Sequence, residues 1–175
     1  LWLAAAYCDT VGIETGDPRP FTTWEQLVEA YKKRIDAFYD YCVDNFRAIE
    51  KAYYQDSNYF PFISAFLQDC IAAGKDATRG GGRYQELEAW CFVDRAQQDA
   101  CDALLGIKTV VFEDKRATMD ELLAALQADW QGHEELRQAC LAAPKYGNDE
   151  DEPDEFLRAM WRYTVDKCQS YRDGF

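Results

Sequence analysis

Apolar residues recur at every third or fourth position over most of the chain, which predicts a mostly helical structure. The longest such pattern follows two overlapping capping boxes, in which Thr22 and Thr23 precede Glu25 and Gln26 by three residues. It predicts a long helix with one apolar face, formed by Leu27, Tyr31, Ile35, Phe38, Cys42, Phe46, Ile49 and Tyr53.

Shorter helices are predicted along the rest of the chain. One runs from about Phe62 to Ala73 and ends at Gly74, where a left-handed cap residue is expected. Another spans about Phe92 to Phe112, with a short strand over Thr109–Phe112 as the alternative for its end. Capping and breaking residues indicate three more helices. The first begins at a capping box from Thr118 to Glu121 and continues through Trp130. The second spans Glu134–Ala143, and the third is capped by Asp154 and runs to about Tyr171.

Three adjacent glycines, Gly80 to Gly82, predict a loop whose backbone takes unusual dihedrals or passes very close to another group. A phosphate-binding loop would need a Lys-Ser/Thr pair after the glycines and a clear strand before them. Since neither is present, a structural tight turn is favoured over nucleotide binding.

The acidic balance of the chain excludes several partners. Its 175 residues suit one domain, and its formal net charge is −13, from 32 acidic and 19 basic residues. Binding to nucleic acid or to an anionic membrane surface needs a basic face, so neither partner is expected. No stretch reaches the uncharged apolar length that spans a bilayer.

No metal site is predicted. The acidic run from Asp149 to Glu155 lacks the ligand spacing of a calcium-binding EF-hand loop, so a solvated loop and helix cap are favoured. His133, the one histidine, follows a glycine at a helix start and is expected to be exposed or capping. Seven cysteines without a CxxC pair indicate free thiols in a reducing cytoplasm.

Several longer strings stand in a recognisable order along almost the whole chain. They are Thr15–Arg19, Glu25–Lys33, Pro61–Phe66, Asp69–Ile71, Gly74–Asp76, Arg79–Tyr84, Val111–Arg116, Thr118–Leu126 and, most specifically, Ala142–Asp149. Together they resemble the glycyl radical enzymes, a family that includes pyruvate formate-lyase, glycerol and choline lyases, arylacetate decarboxylases and fumarate-adding succinate synthases.

The resemblance implies that the chain is a helical part of an α/β fold in which helices wrap a ten-stranded barrel. Residues 1–175 would be a partial domain, incomplete at both ends, between the loop of the catalytic cysteine and the loop of the radical glycine. No cysteine here has the family's Gly-Cys-x-Glu-Pro setting and no glycine its Arg-Val-x-Gly-Tyr setting. No catalytic residue is therefore assigned, and this chain alone is expected to be inactive.

One departure from the family follows Tyr84, where many relatives continue with Asn-Phe-Thr-Gly. This chain instead continues with Gln85 and reaches a bulky apolar group around Trp90, and its loop is about three residues longer than theirs. Trp90, Tyr84 and Gln85 are candidates for lining the substrate cavity, with ordinary packing of Trp90 as the alternative. A bulky apolar loop at this point resembles the branches of the family that act on hydrocarbon or aromatic substrates.

The resemblance therefore implies radical C–C chemistry on a small-molecule substrate, with fumarate addition preferred. Arylacetate decarboxylation and radical dehydration or C–N lysis are the alternatives, and a non-catalytic acidic helical interaction module is the alternative of another class. No cofactor is expected to bind this chain. An activating enzyme that uses S-adenosylmethionine and an iron–sulfur cluster would install the glycyl radical in a cytoplasmic parent enzyme, expected to be a homodimer with possible small accessory subunits.

Overall fold

The computed structural model describes residues 16–52, 59–83 and 97–171. Its helices are, in chain order, α1 (Trp24–Glu50), α2 (Pro61–Phe66), α3 (Cys70–Ala73), α4 (Gln97–Ile107), α5 (Met119–Gln127), α6 (Glu134–Ala142) and α7 (Asp151–Ser170). A 3₁₀ turn (Ala77–Arg79) follows α3, and a π-helical turn (Lys108–Glu113) extends α4. Over these ranges there is no strand, which confirms the mostly helical prediction.

The chain divides into two compact units. The first comprises Leu1–Tyr39 with Asp94–Phe175, and the second comprises Asp40–Val93. Helix α4 is the centre of the first unit and contacts α6 and α7. Its apolar residues Ala100, Leu104 and Ile107 are buried. Two clusters of buried side chains form this core: Leu27, Leu104, Ile107, Met119 and Leu122 in one, and Cys101, Leu157 and Met160 in the other.

Helix α1 begins where its capping residues predict. The side-chain oxygen of Gln26 accepts the backbone N–H groups of Thr22 at 2.7 Å and Thr23 at 3.3 Å, which satisfies donors that have no partner within the helix.

The predicted apolar stripe of α1 is wrong at two positions, since Phe38 is 58% exposed and Ile49 is 50% exposed. The buried residues of α1 instead include Tyr39 and Val43. These continue steps of four residues from Leu27, and each such step advances the buried side around the helix axis by about 40°.

The helix predicted from Phe62 to Ala73 is broken into α2 and α3. Leu67 is extended and Asp69 has a left-handed φ of 78°. The Arg83 side chain holds this bend, because its Nε and Nη2 donate to the Asp69 carboxylate at 2.7 and 3.2 Å. The predicted left-handed cap at Gly74 is confirmed, with φ 62°.

The strand considered for Thr109–Phe112 is wrong, because these residues form the π-helical turn. The backbone N–H of Asp114 donates to the Thr109 carbonyl at 2.8 Å, five residues back. Lys108 closes the turn by pairing with Glu113 at 2.8 Å and also pairs with Glu152 of α7.

The capping box at the start of α5 is confirmed. The Thr118 hydroxyl accepts the Glu121 N–H at 3.2 Å, and the Glu121 carboxylate accepts the Thr118 N–H at 2.8 Å. The helix ends at Gln127, before the predicted Trp130, because Asp129 and Trp130 both have left-handed φ angles of 49° and 64°.

The predicted cap of the last helix is also wrong. Helix α7 begins at Asp151 with Glu150 at the cap position, so Asp154 lies inside its first turn. Pro153 is accommodated there because the first turn of a helix has no internal acceptor for the N–H that proline lacks.

Candidate functional site

The loop from Asp76 to Arg83, which contains the three glycines, lies in the second unit and is held by a network of hydrogen bonds. Asp76 organises it by accepting four hydrogen bonds. The donors are the Phe60 N–H at 2.9 Å, the Ser64 hydroxyl at 2.8 Å, and the N–H and hydroxyl of Thr78 at 3.0 and 2.7 Å. The Ser64 hydroxyl in turn accepts the Ala77 N–H at 2.8 Å. One carboxylate thus fixes the 3₁₀ turn against the start of α2.

The protonation state of Asp76 follows from these contacts. Burial raises the pKa of its carboxyl, but the hydrogen bonds from Thr78, Ser64 and Phe60 stabilise the charged form and bring the pKa below the ordinary value of 3.8. Asp76 is therefore a carboxylate at neutral pH and acts as an acceptor for this loop.

The glycines of the loop are needed for its shape. Gly80 has a left-handed φ of 71°, and a Cβ added to Gly81 would lie 2.2 Å from the Lys75 carbonyl oxygen. The predicted tight turn with a close backbone approach is confirmed.

Arg79 stands out in this loop because part of its guanidinium group is buried without a partner. Its Nε and Nη2 atoms are inaccessible to solvent and donate no hydrogen bond, while Cζ lies 5.0 Å from the centre of the Tyr59 ring. Arg83, four residues on, is instead paired with Asp69. A desolvated guanidinium whose Nε and Nη2 atoms carry three N–H donors without an acceptor favours an anion, since those donors otherwise lose their hydration without compensation.

Sequence reasoning did not select Arg79, although it begins one of the family-like strings. A sequence does not show whether an arginine is paired, so this signal comes from the structure alone. The three residues that were selected, Trp90, Tyr84 and Gln85, lie outside the described residues.

The most specific family-like string, Ala142–Asp149, is held in place by two sets of contacts in the first unit. The Tyr146 N–H donates to Asp102 of α4 at 2.9 Å. Lys145 Nζ donates to the carbonyls of Cys140 and Ala143 at 3.1 and 3.2 Å, and so satisfies acceptors at the end of α6.

Other candidate chemistry in the described part of the chain is limited. Within it, no group of three or more His, Cys, Asp or Glu side chains could hold a metal ion. His133 is half-buried at the cap position of α6 but makes no side-chain cap bond. Five cysteines there are free thiols: Cys42, Cys70, Cys101, Cys140 and Cys168. Among the same residues, no helix combines the length and apolarity needed to cross a membrane.

Comparison with known proteins decides the family. The family model described as pyruvate formate lyase-like matches residues 6–174. The chain belongs to the glycyl radical enzyme family. Over its described residues it is a helical part of that fold.

Two curated glycyl radical relatives have named activities. The chain is 37% identical over 153 residues to trans-4-hydroxy-L-proline dehydratase of Clostridioides difficile, covering 86% of this chain and 19% of the relative. It is 30% identical over 167 residues to isethionate sulfite-lyase of Desulfovibrio desulfuricans, covering 92% and 19%. The chain thus spans about a fifth of the length of these relatives.

A solved glycyl radical enzyme supports the same fold. The structure concerns 1,2-propanediol dehydration in Roseburia inulinivorans and matches with a TM-score of 0.78 and 31% identity, over 93% of this chain and 21% of that one. These relatives carry out dehydration or sulfite elimination, so they do not support the preference for fumarate addition. The radical dehydratase alternative agrees better with them.

Proposed function

We propose that this chain is one segment of a longer glycyl radical lyase that eliminates water or sulfite from a small anionic substrate. The observation that carries the proposal is the partly buried, unpartnered guanidinium of Arg79. Two relatives support it, because the compounds in their names carry such a group: proline derivatives have a carboxylate, and isethionate is a sulfonate.

Arg79 suits the binding of such an anion. A guanidinium is planar, stays charged, and presents N–H groups in a fork that matches the oxygens of a carboxylate or sulfonate. The Asp76 network and the close packing of Gly81 hold the loop, so Arg79 is positioned before a substrate arrives. Orientation of the substrate is the contribution that this loop makes to the reaction.

The radical chemistry itself belongs to residues outside this chain. The family's glycyl radical takes hydrogen from a cysteine thiol, and the resulting thiyl radical takes hydrogen from the substrate. We propose that an activating enzyme using S-adenosylmethionine and an iron–sulfur cluster makes the radical in a cytoplasmic, homodimeric parent. Tyr84, Gln85 and Trp90 begin only five residues after Arg79, and they remain proposed cavity residues.

The test uses the full parent enzyme, activated without oxygen, with the glycyl radical quantified by electron paramagnetic resonance. Turnover is measured on a carboxylate-bearing alcohol, a sulfonate-bearing alcohol, a neutral diol, and toluene with fumarate. We expect turnover on one or both anionic substrates. Turnover on toluene with fumarate alone would contradict the proposal and restore the succinate synthase alternative.

The role of Arg79 is tested by Arg79→Gln in the same assay. Loss of a hydrogen-bonded charge pair typically costs about 2–3 kcal/mol, so we expect kcat/KM to fall by about 30- to 150-fold at an unchanged radical yield. Arg116→Gln is the matched control, since that arginine is 61% exposed and lies in the first unit. Equal kinetics for Arg79→Gln and the control would remove Arg79 from substrate binding.

The non-catalytic alternative is tested by the flanking sequence. A reading frame that continues on both sides into the cysteine and glycine motifs supports the enzyme. A start codon directly before Leu1 and a stop after Phe175 would support an independent module.

A further inference from the structure

One edge of the Arg79 guanidinium is arranged to hold two oxygens of an anion. Nε and Nη2 lie on the same edge of this planar group, and both are buried without an acceptor in the described part of the chain. Arg83 shows how such an edge is used, because the same two atoms of its side chain donate to the Asp69 carboxylate at 2.7 and 3.2 Å. Arg79 thus presents the donor pair that grips a carboxylate at Arg83.

One face of the same guanidinium lies against an aromatic ring. The Cζ atom of Arg79 lies over the Tyr59 ring, 5.0 Å from its centre. The negative face of an aromatic ring attracts a cation, and a stacked guanidinium keeps its edges available for hydrogen bonds. The ring therefore stabilises the charge of Arg79 without using the donors of its Nε–Nη2 edge.

Asp76 holds the backbone on both sides of this contact. Its carboxylate accepts the N–H of Phe60, the residue after Tyr59, and its carbonyl accepts the N–H of Arg79, both at 2.9 Å. These bonds bring the two backbone segments together, but they do not reach the end of the arginine side chain, which has several rotatable bonds. The ring of Tyr59 restrains the guanidinium itself.

We infer that Tyr59 is a positioning residue for anion binding, whose ring holds Arg79 so that the Nε–Nη2 edge receives two oxygens of a carboxylate or sulfonate. Tyr59 is 62% exposed, so little of the fold depends on burying this ring, and its replacement should alter Arg79 rather than the fold. The inference rests on the proposed function, because it names the residue that orients the proposed anion-binding group.

The first experiment measures the restraint on Arg79 without any ligand. Phenylglyoxal modifies arginine in its neutral form, and its reaction at Arg79 of the non-activated full parent is followed by peptide mass spectrometry. Because the ring stabilises the charged form, we expect Tyr59→Leu to speed this reaction by about 3- to 30-fold, the range of a cation–π contact. Tyr59→Phe keeps the ring and should leave the rate nearly unchanged. Arg116, which is 61% exposed, is the internal reference.

The second experiment measures anion binding to the same non-activated parent by ligand-observed nuclear magnetic resonance. The probes are propionate and ethanesulfonate, with 1-propanol as the neutral control. We expect Tyr59→Leu to raise the Kd of the anions by about 3- to 30-fold, and Tyr59→Phe to keep the affinity of the parent. In an Arg79→Gln background, Tyr59→Leu should have no further effect, because the ring acts through the arginine.

Equal phenylglyoxal rates at Arg79 in Tyr59→Leu and in the parent would overturn the inference. So would a loss of anion affinity in Tyr59→Leu that persists in the Arg79→Gln background, since the ring would then act on the ligand directly. Absence of anion binding to the parent would overturn it as well. Neither experiment involves turnover, so a parent that binds these anions through Arg79 but eliminates neither water nor sulfite would contradict the proposed function alone.

Discussion

At Gly81 a single methyl group has no room. The position of a Cβ there would be 2.2 Å from the Lys75 carbonyl oxygen and 2.8 Å from that of Asp76. Both neighbours are backbone atoms, which cannot rotate away as a side chain could. The close approach fixes the loop that carries Arg79.

We therefore expect Gly81→Ala to lower the free energy of unfolding by about 2 kcal/mol or more, as overpacking typically does. Chemical denaturation monitored by circular dichroism measures the change. Gly106→Ala is the control, because a Cβ there would sit 3.5 Å from the Cys140 carbonyl oxygen, an ordinary contact, inside α4. Equal stability of the two variants would contradict the argument.

Tyr163 on α7 is held in its neutral form. Burial raises the pKa of its phenol most, and the hydrogen bond to the Asp36 carboxylate and the charges of Asp36 and Glu29 raise it further, to about 12. Because the folded pKa exceeds the ordinary value of 10, the resulting stability is present below pH 10 and is lost between about pH 10 and 12.

Absorbance titration of the phenolates should include a late step near pH 12 from Tyr163, and Tyr163→Phe should remove it. Asp36→Asn should move this step to lower pH, because the amide removes the negative charge beside the phenol. A late step that persists in Tyr163→Phe would disprove the assignment.

Among the elements, α4 and the loop after α6 are joined by a hydrogen bond from the Tyr146 N–H to the Asp102 carboxylate. The loop carries left-handed residues at Gly147 and Asp149, and Lys145 ties its start to the end of α6. The Asp102 carboxylate thus positions the most family-specific string of the chain.

Asp102→Ala should speed hydrogen exchange at the Tyr146 amide by about tenfold, because a hydrogen bond to a charged acceptor is worth about 1.5 kcal/mol or more. Asp102→Asn keeps the side-chain oxygen and should retain most of the protection. The Leu122 amide, bonded within α5 to Thr118, is the internal reference and should not change. Unchanged exchange at Tyr146 in Asp102→Ala would show that other contacts hold the loop.

Elements with local signals were predictable, and those that depend on distant partners were not. The capping box of Thr118 and the glycine cap at Gly74 lie within four residues of the helix ends that they determine. The break at Asp69 depends on Arg83, fourteen residues away. The β-branched run in Lys108–Glu113 left a strand open as the alternative to the predicted helix, and the structure continues the helix there as a π-helical turn, with Lys108 paired to Glu152, 44 residues away.

For the whole molecule, the excess of acidic groups opposes compactness. Its net charge is −13, and most ion pairs in the described part of the chain are exposed and contribute little. Salt screens repulsion among these charges, with a Debye length that falls from about 30 Å at 10 mM to about 8 Å at 150 mM.

The thermal midpoint of the chain should therefore rise by a few degrees between 10 and 150 mM sodium chloride. A double variant of the exposed acidic loop, Asp149→Asn with Glu150→Gln, should show a smaller rise, since it has less repulsion to screen. Differential scanning fluorimetry measures both. A midpoint that falls with salt would mean that attractive pairs outweigh repulsion.

For the whole molecule, the family could be predicted from the sequence, but the reaction branch within the family could not. Strings such as Ala142–Asp149 keep their order and spacing, so they identify the family directly. The preference for hydrocarbon chemistry depends on the bulk of Trp90. The size of one side chain does not determine which reaction a member of the family catalyses. Arg79 was overlooked because its missing partners are a property of three-dimensional packing.

The π-helical turn after α4 has a consequence for how the chain tolerates changes of length. Such a turn contains one residue more than an α-helical turn, as the bond from Asp114 to Thr109 shows. Deleting one residue between Lys108 and Glu113 would leave an ordinary α-turn, whereas the same deletion within α4 would rotate everything beyond it by about 100°. Single-residue gaps between natural variants of this segment are therefore accommodated here more readily than in the regular helices around it.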